Sequence, residues 1–113
     1  IPINGKLTLG ENIGDLSGLE VAFRAYRMSL GGSTPPVVEG FTGDQRFFLG
    51  YAQVWRTAMR PETLRQRLVV DPHSPGMYRA LVPLTNMQAF YDAWDVKPGD
   101  RMYRAPEDRV KIW

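Results

Sequence analysis

The sequence predicts a mainly α-helical fold, and three observations predict it. Apolar residues Leu16, Leu19, Phe23, Tyr26 and Leu30 recur in steps of three and four, the period of one helix face. A second such face runs through Phe48, Tyr51, Ala52, Trp55 and Met59. Thr42 with Gln45, and Thr85 with Gln88, each match the capping box that opens a helix.

Taken in order, the elements are these. Ile1 to Leu9 alternates apolar and polar residues around an Asn4-Gly5 turn signal and reads as a short extended or irregular lead-in. A helix of about five turns follows from Gly10 to Leu30, ended by Gly31-Gly32. Beside its apolar face lies a second stripe, Glu11, Asp15, Gly18 and Ala22, with Gly14 and Ala25 alongside. Helical glycine costs about 1 kcal/mol relative to alanine, so repeated small residues suggest that a partner helix approaches this face closely. No segment of the chain is a convincing candidate for that partner.

Gly31 to Thr42 reads as a loop, and the helix opened by Thr42 extends to about Met59. Pro61 restarts the chain at a first helical position, and a shorter helix anchored by Leu64 and Leu68 runs to about Val69. The prolines of Asp71-Pro72-His73-Ser74-Pro75-Gly76 stiffen a loop. Tyr78 to Val82 reads as a brief strand ending at Pro83, and the Thr85 capping box opens a helix presenting Met87, Phe90, Tyr91 and Trp94. Lys97 to Asp100 is a turn, and the apolar residues of the tail, Met102, Tyr103, Val110, Ile112 and Trp113, are expected to dock on the core. The whole of 1–113 is expected to form one domain, because neither side of any loop is large enough to stand alone.

Fourteen Lys and Arg face twelve Asp and Glu, a net charge of only +2, and the two signs are interleaved. That gives no case for a nucleic-acid partner. There is no cysteine, which excludes disulfides, thiolate metal sites and a cysteine nucleophile. No apolar run approaches the ~20 residues of a membrane span, so this segment is expected to make no membrane contact. The opening Ile1-Pro2-Ile3, without Met, reads as the interior of a longer protein.

Chemistry concentrates in two places. Glu11 and Asp15 stand four residues apart, neighbours on one helix face. They read either as a solvated acidic first turn favoured by the helix dipole or as charges awaiting a cation. His73, the single histidine, lies in the stiffest loop. Asp71 could hold one of its ring nitrogens and fix the tautomer, and Arg79 could present its planar fork to a carbonyl or carboxylate. One histidine and no cysteine cannot supply a zinc site alone, and there is no HExxH, P-loop or G-x-S-x-G motif. From the residues alone, the alternative to an enzyme is an interaction domain that binds a protein through the acidic helix face and apolar tail.

The run Asn4-Gly5-Lys6-Leu7-Thr8-Leu9-Gly10-Glu11-Asn12-Ile13-Gly14-Asp15-Leu16 resembles the Glu-Asn-x-x-Asp segment of the neprilysin family of zinc metallopeptidases, which includes the endothelin-converting enzymes and bacterial oligoendopeptidases. The likeness continues through Phe47 to Trp55, Asp71 to Pro75, Tyr78-Arg79 and Ile112-Trp113, and so covers essentially the whole chain in order. It implies the helical C-terminal part of a gluzincin catalytic domain, with one short strand or hairpin. The implied activity is hydrolysis of peptide bonds in short peptides by metal-activated water, one zinc ion serving the full-length enzyme.

By this resemblance Glu11 is the third zinc ligand. Two histidines and the water-activating glutamate belong to an upstream HExxH helix, which would also occupy the small-residue face. The segment alone is then expected to be inactive, with the upstream remainder of the protein and peptide substrates as its partners. Asp15 would orient a zinc-bound histidine, His73 would stabilise the oxyanion, and Asp71 would orient His73. Arg79 would hold a substrate carbonyl, and Val54 and Trp55 would border an apolar pocket for the residue after the cleaved bond. Gly14 stands where the family usually has alanine. Arg56, Val96 and Val110 stand where animal members carry disulfide cysteines, which points to a bacterial member. For such a member the implied setting is extracytoplasmic, periplasm or cell envelope, with the cytoplasm as the alternative.

Overall fold

The computed structural model describes residues 1–113 and contains five α-helices: α1 (Gly5–Ser29), α2 (Gly43–Val54), α3 (Pro61–Val70), α4 (Gly76–Leu81) and α5 (Gln88–Trp94). Short 3₁₀ turns lie at Pro83–Asn86 and Pro106–Asp108. The mainly α expectation holds. The one β feature is an isolated bridge between Val38 and Phe41, closed by Glu39 and Gly40 at φ 51° and 81°. None of the helices is long and apolar enough to cross a membrane.

Helix α1 starts five residues earlier than the periodicity predicts. Asn4 caps it, its side chain accepting from the Leu7 N–H at 3.2 Å, so Asn4-Gly5 is a helix start and not a turn. The helix ends at glycines in the left-handed region, Gly31 at φ 56° and Gly32 at φ 84°. Helix α2 has the predicted capping box, with Thr42 and Gln45 bonded reciprocally. It stops at Val54 rather than near Met59. Arg60, ahead of Pro61, is held extended at ψ 143°, and the chain has left the helix by Thr57, whose N–H bonds the Trp55 carbonyl at 2.8 Å.

Two expectations fail in the second half. Tyr78 to Val82 is not a strand: Gly76 to Leu81 form helix α4, with the Tyr78 and Arg79 N–H groups bonded to the Pro75 carbonyl. Pro75 before it and Pro83 after it confine the segment to a few residues, a length at which periodicity cannot separate strand from helix. Thr85 is not a helix cap. Its hydroxyl donates to the Val82 carbonyl at 2.7 Å inside the 3₁₀ turn, and Met87 takes the cap position of α5.

The buried side chains form one cluster of Leu16, Leu19, Phe48, Leu84, Met87, Phe90 and Tyr91. Phe48 is its centre, 2% exposed, stacked on Phe23 at 5.4 Å and edge-on to Phe90 at 5.4 Å. Through this cluster α1 packs on the Pro83–Asn86 turn and α2 on α5. Met102, Tyr103 and Ile112 pack against it, as expected of the tail, while Val110 and Trp113 stay half-exposed. Tyr91 ties the tail down, its hydroxyl accepting from the Arg104 N–H at 2.6 Å beneath the Arg109 guanidinium. A side-chain carbon added at Gly10, Gly14 or Gly18 would meet no other atom within 4 Å, so the small-residue face of α1 is uncovered by this chain.

Candidate functional site

Helix α1 and the loop 71–76 bring together residues some sixty positions apart in sequence. The second and third turns of α1 carry Glu11, Asn12 and Asp15, and the loop runs across them into α4. Three polar contacts join the two segments.

His73 Nε2 lies 3.3 Å from Glu11 Oε2. On the other side of the ring, Nδ1 is 2.8 Å from Asp71 Oδ1, which also accepts the His73 backbone N–H at 2.9 Å. These two hydrogen bonds, the backbone one first, hold the Asp71 carboxyl below its ordinary value. The arrangement is an Asx turn with the histidine ring as its second donor. Asp71 thus fixes which face of the imidazole is presented, and Nε2 points at Glu11. Both Glu11 and His73 are about half-exposed, at 48% and 42% of the side chain, and can meet a ligand from outside the chain.

Asp15 and Arg79 are the second contact. The guanidinium donates twice, Nε to Oδ2 and Nη2 to Oδ1, both at 2.7 Å. The Arg79 and Asp15 side chains are only 18% and 14% exposed, and the hydrogen bonding to Asp15 raises the Arg79 value further. Arg79 is held from two more directions. Its guanidinium lies 4.2 Å from the centre of the Trp55 ring, and its carbonyl accepts from the Tyr51 hydroxyl at 2.6 Å. Burial, and then the nearby Asp15 charge, push the Tyr51 phenol above its ordinary value. The like charges of Glu11 and Asp15 are therefore each answered by a basic group on or just after the loop.

The third contact is the Ser74 hydroxyl, donating to Asn12 Oδ1 at 2.8 Å. Sequence reasoning assigned no role to Ser74, Asn12 or Tyr51. The available signal was position: Asn12 directly follows Glu11, and Ser74 directly follows His73.

Of the residues singled out from sequence, Glu11, Asp15, Asp71, His73, Arg79 and Trp55 therefore share one site. Val54 precedes Trp55 at the end of α2 and is 68% exposed. On the acidic face Asp15 is paired while Glu11 stays half-exposed, and in the tail Met102, Tyr103 and Ile112 pack on the core while Val110 and Trp113 stay half-exposed.

No three His, Asp or Glu side chains converge closely enough to hold a metal ion. What the chain offers is one half-exposed carboxylate, Glu11, of which one oxygen meets His73. That donor fits a single oxygen ligand of zinc. A zinc ion held by Glu11 would need its further ligands from outside this chain.

The sequence model of peptidase family M13 matches residues 2–110. Endothelin-converting enzyme 1 of Cavia porcellus is 40% identical over 99% of this chain, which covers 15% of that protein. Neprilysin-1 of Caenorhabditis elegans is 45% identical over 98% of the chain and 15% of its own length. Among solved structures, the zinc metalloprotease Zmp1 of Mycobacterium tuberculosis, in complex with an inhibitor, superposes with a TM-score of 0.96 at 49% identity. That match covers 98% of this chain and 17% of Zmp1. The chain thus spans about 15% of the length of the relatives it matches.

Proposed function

This chain belongs to peptidase family M13, and from that membership we propose that it forms the C-terminal part of the catalytic domain of a zinc-dependent endopeptidase acting on short peptides. The observation that carries the proposal is the meeting of Glu11 with His73 at 3.3 Å, His73 being braced from behind by Asp71. A candidate metal ligand and a candidate oxyanion donor, sixty residues apart, lie head to head on one exposed surface.

In this reading Glu11 supplies one oxygen ligand, and two histidines and a water-activating glutamate come from the upstream remainder of the protein. Zinc, when bound, polarises the scissile carbonyl and lowers the pKa of a bound water. Asp15, its carboxylate held in one orientation by Arg79, would fix the ring of a histidine ligand supplied from upstream. His73 donates from Nε2 to the oxyanion as the tetrahedral intermediate forms, a donor worth about 3–4 kcal/mol. Arg79 has its Nε and Nη2 on Asp15, which leaves Nη1 as the atom to hold a substrate carbonyl. Val54 and Trp55 border the pocket for the residue after the cleaved bond. For a bacterial member we infer a periplasmic or cell-envelope setting, which cell fractionation reads directly.

The test uses the full-length protein. Glu11→Ala should lose zinc and peptidase activity together. His73→Ala should keep stoichiometric zinc while turnover falls about 100-fold or more. Equal loss of metal in both variants would show the assigned roles to be wrong.

A further inference from the structure

Beside the exposed Glu11–His73 contact runs a line of polar groups, its two hydroxyls buried and Asn12 between them exposed, that the mechanism above does not use. The Ser74 hydroxyl donates to Asn12 Oδ1 at 2.8 Å. Asn12 Nδ2 donates to Thr8 Oγ1 at 3.2 Å, and the Thr8 hydroxyl donates to the Asn4 carbonyl at 3.1 Å. Ser74 and Thr8 are 8% and 3% exposed, the only buried polar side chains of the chain. A buried hydroxyl or amide is costly unless paired, and here each hydroxyl finds its partner along the line.

The line begins at the cap of α1 and ends in the loop, one residue beyond His73. The two residues that meet across the helix–loop junction, Asn12 and Ser74, directly follow Glu11 and His73 in sequence. The Asx turn made by Asp71 sets the rotation of the imidazole relative to its own loop. It does not set the height of that loop above α1. The Ser74–Asn12 hydrogen bond does, and the Arg79–Asp15 pair supports it one helical turn further on.

We propose that Ser74 and Asn12, backed by Thr8, are positioning residues that register the His73 loop against the helix bearing Glu11. They act through His73 and touch neither substrate nor metal. The inference rests on the oxyanion role proposed for His73. Displacing a reacting group by about 1 Å can cost up to 100-fold in rate, so losing one hydrogen bond of this clasp should be visible in turnover.

The experiment again uses full-length enzyme. Ser74→Ala should lower kcat about tenfold, leaving KM and zinc content at the parent's level. Ser74→Thr, which keeps the hydroxyl, should restore most of that loss. In a His73→Ala background Ser74→Ala should have no further effect, because the residue it positions is gone. Amide hydrogen exchange across residues 71–76 should rise in Ser74→Ala and stay low in Ser74→Thr. Exchange unchanged in Ser74→Ala overturns the clasp, as does a tenfold loss that persists in the His73→Ala background. If the loop loosens while Ser74→Ala and His73→Ala both turn over like the parent, the oxyanion role of His73 is what fails.

Discussion

Arg79 shows how one side chain can hold a site together. Its fork binds both oxygens of Asp15, its plane rests on Trp55, and its carbonyl receives Tyr51. Removing it leaves a carboxylate that is mostly shielded from water and has no counter-charge. Arg79→Ala should therefore lower folding stability by about 3 kcal/mol, read by urea denaturation. Arg79→Lys should cost less but not nothing, since lysine keeps the charge and loses the two-pronged geometry. A loss below about 1 kcal/mol for Arg79→Ala would mean that water already screens the pair. The sequence suggested that Arg79 could face a carboxylate, but not which one. Asp15 and Arg79 are partners across a helix–loop junction, and no periodicity links positions so far apart.

At the scale of elements, capping chemistry decided the boundaries. The long apolar stripe of α1 and the Thr42 capping box of α2 were legible because both are local. The start of α1 was not, because Asn4-Gly5 suits a turn as well as a cap, and the choice went to whichever satisfied the Leu7 N–H. The segment 76–81 is too short for its pattern to discriminate, and its helical form follows from the Pro75 carbonyl accepting two N–H groups. Thr85 had the cap motif, yet its hydroxyl found the Val82 carbonyl first.

One junction between elements can be tested directly. Gly43, the first residue of α2, is buried where an added methyl group would collide with the Tyr26 hydroxyl and the Pro35 ring. Gly43→Ala should destabilise the fold by about 1–3 kcal/mol, measured as a lower denaturation midpoint. An unchanged midpoint would show that the Gly31–Thr42 loop yields freely.

At the scale of the molecule, the chain is too open for its size. Its accessible surface is 7923 Å², against about 6,300 Å² expected for a compact monomer of this mass. Its radius of gyration is 15.6 Å, against about 13 Å for a compact domain of this length. The excess of about 1,600 Å², all on one chain, is about twice what one partner contributes to a standard protein–protein interface. Leu9, Ile13 and Val21 on α1 and Met77, Tyr78, Leu81 and Val82 around α4 are among the exposed apolar residues. The 113-residue segment expressed alone should self-associate as its concentration rises, seen as a growing apparent mass by light scattering at micromolar levels. A strict monomer across that range would show that this surface tolerates water.

By itself the sequence determined the helical class, the main apolar faces, the likeness to a zinc peptidase family and the candidacy of Glu11, Asp15, Asp71, His73 and Arg79. All of these depend on residue type and near-neighbour spacing, which the chain displays directly. Only the tertiary structure decided that Arg79 belongs to Asp15, that His73 meets Glu11, and that Ser74 and Asn12 tie loop to helix. Those pairings arise because burial of Leu16, Leu19 and Phe48 against the Leu84–Tyr91 segment carries the 71–76 loop across α1. Hydrophobic burial is non-directional and specifies no partner for a distant charge. Short-range hydrogen bonds choose among the groups it brings within reach, and that choice makes the surface holding Glu11 and His73.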